Sequence, residues 1–143
     1  MPHDSDPLKA IIDNIYELIA SEEYAEAERL IGCIPELEKH DPILLFFKAV
    51  CEYEQGRDVE CLQLISSFLE RAPHHVKAEY CIFTAAMCLA NMGMEEDSLP
   101  LLNALPASYP DLLREKRDVS AKLQMKARAK FHVETIMKLR EGR

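Results

Sequence analysis

The sequence predicts an all-α fold, a stack of helix-turn-helix pairs closed by one long C-terminal helix. Three observations predict it. β-Branched runs are rare and strict apolar–polar alternation is absent, so strands have no signature here. One pattern is written twice between Pro42 and Pro110: Leu45, Ala49, Gly56, Cys61, Ile65, Phe68 and Pro73 recur as Ile82, Ala86, Gly93, Ser98, Leu102, Leu105 and Pro110. Every member of the second set lies 37 residues after its counterpart, and a period in the thirties made of helix pairs marks a solenoid.

The elements follow in order. Asp6-Pro7 pairs an N-cap with a proline suited to the first helical position, and Leu8, Ile11, Ile12, Ile15, Leu18 and Ile19 then keep helical spacing. A second helix is expected from about Glu23 to Glu38, with an irregularity at Ile34-Pro35. Asp41-Pro42 repeats the start signal for a third helix running to Gln55. Gly56 suits the left-handed residue that ends it, and Asp58 is placed to cap a fourth helix reaching Arg71. A fifth is expected from His75 to Asn91. The sixth runs from Glu95 to Leu105; Pro100 is harmless there if the helix starts near Asp97 and bends it if the start is earlier. Residues 111–141 read as one long helix, with Val119 to Ala121 as the one place for a break. Leu112, Val119, Leu123, Ala127, Phe131 and Met137 form its loose apolar stripe.

The small residues have a packing reason. Ala49 and Ala86 stand where the first helix of a pair crosses the second closely, and Cys61 and Ser98 are their small partners. A third, weaker copy lies upstream. Ile11, Ile15, Leu18, Ile31 and Ile34 take its core positions and Ala27 its small position. Glu22 stands where the turn glycine is expected.

These positions resemble the tetratricopeptide repeat (TPR). The likeness covers about residues 8–110 and implies one domain with repeats at about 8–41, 42–78 and 79–110, capped by helix 111–141. No copy carries that repeat's usual large aromatic early in the first helix; Ile11, Leu45 and Ile82 stand there.

Composition narrows the function classes. The net charge of −8 argues against general nucleic-acid binding. Its distribution is uneven: residues 1–113 hold 7 basic and 21 acidic side chains (net −14), while residues 114–143 hold 10 and 4 (net +6). An acidic body and a basic tail helix suggest docking of the tail on the body or on an acidic partner. The five cysteines, Cys33, Cys51, Cys61, Cys81 and Cys88, are odd in number and mostly at apolar helical positions, which suits a reducing compartment. The segment MPHDSDPLK lacks the apolar core of a signal peptide, and the longest apolar run, Ile43 to Phe47, is too short to span a bilayer. A cytoplasmic protein is expected, without stable membrane insertion.

Catalytic motifs are missing. The chain has no Gly-rich phosphate loop, no Gly-x-Ser-x-Gly, no His-Glu-x-x-His and no Cys-x-x-Cys. Cys81 and Cys88 lie two turns apart, too far to share a metal without outside ligands, and His74-His75 suits a solvated loop. The expectation is a non-enzyme without metal or cofactor.

The repeat register offers a binding surface instead. The first helix of each pair lines the concave face. Equivalent positions there are Lys9, Ile43 and Tyr80; Ile12, Phe46 and Phe83; Tyr16, Val50 and Met87; and Ile19, Tyr53 and Ala90. All but Lys9 are apolar or aromatic, so these helices are apolar on two faces and something must cover the second. Either helix seven or a closed superhelix covers it from within, or the amphipathic helix of a partner does, anchored through Ile12, Tyr16, Ile19, Ile43, Phe46, Val50, Tyr53, Tyr80, Phe83 and Met87. Apolar residues at these places leave no carboxylate clamp of the kind some TPR domains use on chaperone peptides.

A small acidic chain of three helix pairs with an apolar concave face is also similar to the type III secretion chaperones, above all those of the needle protein. That resemblance implies a chaperone or adaptor holding an amphipathic client helix, with a second small co-chaperone subunit as a further partner. The longer basic C-terminal helix departs from the resemblance. A scaffold or homo-oligomer whose grooves fill each other is the alternative.

Overall fold

The computed structural model describes residues 7–35 and 41–142. Among these residues there are seven α-helices and no strand: α1 Pro7–Ala20, α2 Tyr24–Gly32, α3 Pro42–Glu54, α4 Asp58–Arg71, α5 Ala78–Asn91, α6 Glu95–Asn103 and α7 Leu112–Glu141. The expected all-α class holds.

Local chemistry sets the boundaries. The Asp41 carboxylate accepts the Ile43 N–H at 3.0 Å, and Pro42 sits in the first turn, where its missing N–H costs nothing. The matching Asp6 lies outside the described residues. Asp58 is the first residue of α4, not its cap; Arg57 occupies the cap position and no side chain caps the helix. α2 ends at Gly32, before the Ile34-Pro35 interruption, because Pro35 disfavours helical geometry at the residue preceding it. The remainder of its expected span, residues 36–40, lies outside the described residues. α5 begins at Ala78 instead of His75. Turns closed by His75 N–H to Ala72 C=O and Ala78 N–H to His75 C=O occupy the intervening stretch, and His75 Nδ1 accepts the Lys77 N–H at 3.0 Å. That side-chain acceptor competes with helix formation locally. α6 starts at Glu95, so Pro100 falls inside it and the Glu96 carbonyl has no i+4 donor. α7 is continuous through Val119 to Ala121.

The three intra-pair turns are built alike. Glu22, Gly56 and Gly93 have φ of 61°, 79° and 76°. At each turn the following N–H bonds the carbonyl five residues back: Glu23 to Leu18 at 2.8 Å, Arg57 to Glu52 at 2.9 Å and Met94 to Leu89 at 2.8 Å. This satisfies carbonyls that a helix end leaves open. Glu22 does the work of a glycine with a Cβ present.

Ala27, Cys61 and Ser98 are the small residues of α2, α4 and α6, and all three are completely buried. Ala49 and Ala86 are buried opposite them, and Ser98 Oγ donates to the Ala86 carbonyl at 2.8 Å. α1 packs on α2, α3 on α4 and α5 on α6. Each pair also packs on the next, through α2 on α3 and α4 on α5, with α1 touching α3 and α3 touching α5. The larger core runs from Ile15 through Leu44, Phe46, Ile65 and Phe68 to Cys81 and Cys88. A second, around Leu102, Leu105, Leu112 and Val119, seats α7 on α6.

Candidate binding face on the odd-numbered helices

α1 touches α3 and α3 touches α5, and on each helix the predicted positions recur at spacings of three and four, along one stripe. Tyr16 is 63% exposed and Tyr80 41%. Ile12, Ile19, Ile43, Val50, Tyr53, Phe83 and Met87 are half-buried. Phe46 differs: at 9% exposure it forms the floor, with the Tyr80 ring edge-on at 5.5 Å, Phe47 at 5.8 Å and Phe68 at 6.4 Å. Across the first seam, Tyr16 meets Phe47 at 6.3 Å. One aromatic row therefore runs from α1 to α5 along Tyr16, Phe47, Phe46 and Tyr80. Contacts of this kind add about 0.5–1.5 kcal/mol each beyond area burial. Phe46, Ala49 and Val50 of α3 face Tyr80, Cys81 and Thr84 of α5 across a shallow apolar depression.

Two residues outside the predicted set shape the face. Phe47 was readable only as part of an apolar run, because α3 is apolar nearly all round and periodicity cannot rank its sides. Tyr109, in the loop before α7, stacks on Phe83 at 5.1 Å and closes that end. The Lys77 ammonium stands 5.5 Å from the centre of the Phe46 ring.

The electrostatics are mildly acidic. α1, α3 and α5 carry two lysines (Lys9 and Lys48) against five acids (Asp13, Glu17, Glu52, Glu54 and Glu79), a net of −3. Burial and then the Glu54 carboxylate push the Tyr80 hydroxyl above its usual range, and Tyr109 is raised by burial, with Tyr80 and Glu79 adding to it. Glu52 itself is buried in an ion-pair network behind the face. It accepts Arg57 Nε at 2.5 Å while Arg57 Nη2 reaches Glu28 of α2 at 2.6 Å, binding the first pair to the second.

The cysteines behave as core residues. Cys51, Cys61, Cys81 and Cys88 are buried and Cys33 is exposed; all are free thiols. Burial pushes Cys51 and Cys81 up to about 12, which holds them as protonated thiols at neutral pH. Cys61 and Cys88 face each other; their mutual hydrogen bond and then burial raise Cys88. Among the described residues no group of three His, Cys, Asp or Glu side chains is placed to hold a metal ion, and no helix is long and apolar enough to cross a membrane.

α7 does not lie across this face. Leu112 and Val119, buried, and Leu123, half-buried, hold its first half to the body. Lys126 ends the contact, pairing with the buried Glu95 at 2.5 Å and donating to the Gly93 carbonyl. Every residue from Gln124 to Gly142 is exposed. The single apolar stripe expected from the sequence is therefore divided: Leu112, Val119 and Leu123 pack, while Ala127, Phe131 and Met137 face solvent.

Comparison with protein-family models, curated proteins and solved structures finds no match for this chain.

Proposed function

We propose that the chain is a TPR-like interaction module, a cytoplasmic chaperone or adaptor of the type III secretion needle-chaperone kind, that holds an amphipathic helix of a client protein against the face of α1, α3 and α5. The observation that carries this reading is the exposure of Tyr16 and Tyr80 over buried Phe47 and Phe46, flanked by the half-buried Ile12, Ile19, Val50 and Met87. A soluble protein rarely leaves such a surface without a use. Tyr16 and Tyr80 are the anchors, being large, half to mostly exposed and already braced by Phe47 and Phe46. Phe46 serves as their support. Burying a helix there removes about 1,000 Å² of apolar surface, which at about 25 cal/mol per Å² exceeds the cost of association. The acidic excess favours a client helix with basic flanks. Binding hides the client's apolar stripe and delays its self-assembly by mass action.

The test uses a labelled amphipathic peptide with leucine at i, i+3, i+4 and i+7 and lysine on its flanks. Fluorescence anisotropy with the full chain is expected to give micromolar or tighter binding. Tyr16→Asp with Tyr80→Asp should weaken it at least 30-fold while the circular dichroism spectrum stays helical. Undiminished binding by that folded double variant would overturn the assignment.

A further inference from the structure

Among the described residues two apolar surfaces are uncovered, and they match each other. The second is on the outer half of α7. Up to Lys126 the helix faces the body through Leu112, Val119 and Lys126, spaced by sevens, with Leu123 beside them. From Met125 a new seam opens about a third of a turn away: Met125, Ala129, His132, Ile136 and Leu139, spaced 4, 3, 4 and 3, with Val133 alongside. Met125, Val133, Ile136 and Leu139 are each more than half exposed. The seam begins where contact with the body ends.

Charge selects the occupant. Arg128 and Arg140 border this seam, whereas the outer half's two acids, Glu134 and Glu141, fall on the opposite side of the helix. Pairing two α7 seams would bring basic flanks together and is disfavoured. The helices that carry the face of α1, α3 and α5 have the opposite balance: Asp13, Glu17, Glu54 and Glu79 are exposed on them against Lys9 and Lys48, a net of −2, with Lys77 at the edge beside Phe46, within a body of net −14. Length agrees as well. Met125 to Leu139 spans about 21 Å at 1.5 Å per residue, and three helices packed about 8–10 Å apart present about 16–20 Å between their outer axes.

We propose that the occupant is a second copy: the outer half of α7 from one protomer lies across the concave face of another, reciprocally, giving a closed dimer. This rests on the reading of that face as the client site and makes the tail its resting plug, displaced when a client helix binds. Two such seats bury on the order of 2,000 Å², within the range of stable dimers.

The experiment is sedimentation equilibrium of the full chain at 100 µM with two double variants. Wild type is expected to be a dimer. Ile136→Asp with Leu139→Asp, at exposed sites that leave the fold intact, gives a monomer; so does Tyr16→Asp with Tyr80→Asp. Mixing the two variants restores one seat and returns a heterodimer. A monomeric wild type overturns the proposal, as does a dimer insensitive to either variant. A groove variant that stays dimeric identifies tail–tail pairing and overturns it too. The tail variant also receives the lysine-flanked peptide. Binding there with a monomeric wild type ends the plug and spares the client site; no binding by the tail variant ends the client site itself.

Discussion

Ser98 is the sharpest place to perturb the architecture. It is fully buried between α6 and α5, and its hydroxyl donates to the Ala86 carbonyl at 2.8 Å. Ser98→Leu adds two heavy atoms where the helices cross and removes the hydroxyl. Overpacking of this kind costs about 1–3 kcal/mol, and the lost hydrogen bond about 1 kcal/mol more. The sum, about 2–4 kcal/mol, corresponds to a fall in Tm of about 8–16 °C at roughly 4 °C per kcal/mol for a chain of this size. Ser98→Ala is the contrasting case. The Ala86 carbonyl stays within the ladder of α5, and alanine is the better helix former by about 0.5 kcal/mol, so the net cost is about 0–1 kcal/mol. Thermal unfolding followed at 222 nm reads both, with Ser66→Leu on the exposed side of α4 as a control expected within about 0.5 kcal/mol of wild type. If Ser98→Leu unfolds with wild type, or if alanine costs more than leucine, the close crossing assigned to this position is wrong.

Other outcomes follow from particular contacts. Glu22 holds φ of 61° where the other two turns use glycine, so Glu22→Gly should stabilise by about 0.5–1 kcal/mol in chemical denaturation, and Gly56→Ala should destabilise by about 1 kcal/mol. Phe68→Ala empties a fully buried site beneath Phe46 and should cost about 3–5 kcal/mol. The hydrogen bond from Lys126 holds the Glu95 carboxyl below its ordinary value. A depressed carboxylate contributes stability above its unfolded value, near pH 4.5, and loses it as pH falls through the lowered folded value. Glu95→Gln should thus narrow its stability difference from wild type below pH 4.5, measured by denaturation from pH 7 to pH 3. A difference independent of pH would show that the pair does not hold α7.

Much of the fold was legible because its signals are local. Gly56 and Gly93 announce turns that need positive φ. Cys61 and Ser98 announce crossings, and Asp41-Pro42 announces a helix start. Glu22 shows how far the register can be trusted, since its backbone obeys the repeat although its side chain does not. The ends of α2 and α5 were less legible, because Pro35 and the His75 ring nitrogen act through backbone competition and not through periodicity. The positions expected on the binding face could be ranked by register, yet the sinking of Phe46 beneath Tyr80 is a tertiary result: α3 is apolar nearly all round, and only its neighbours decide which ring becomes the floor. α7 was misread as one stripe because its apolar face changes at Met125, where the body ends, and the sequence carries no mark of where α6 stops supporting it.

The most direct test of the binding face is residue-resolved. The lysine-flanked amphipathic peptide is titrated into the ¹⁵N-labelled Ile136→Asp, Leu139→Asp protein, whose face is free of the tail. Saturable amide shifts concentrated at Tyr16, Ile19, Val50, Tyr53, Tyr80 and Met87 are predicted, with α4 and α6 little changed. Shifts confined to α4, α6 or α7, or none at saturating peptide, would contradict a client site on α1, α3 and α5.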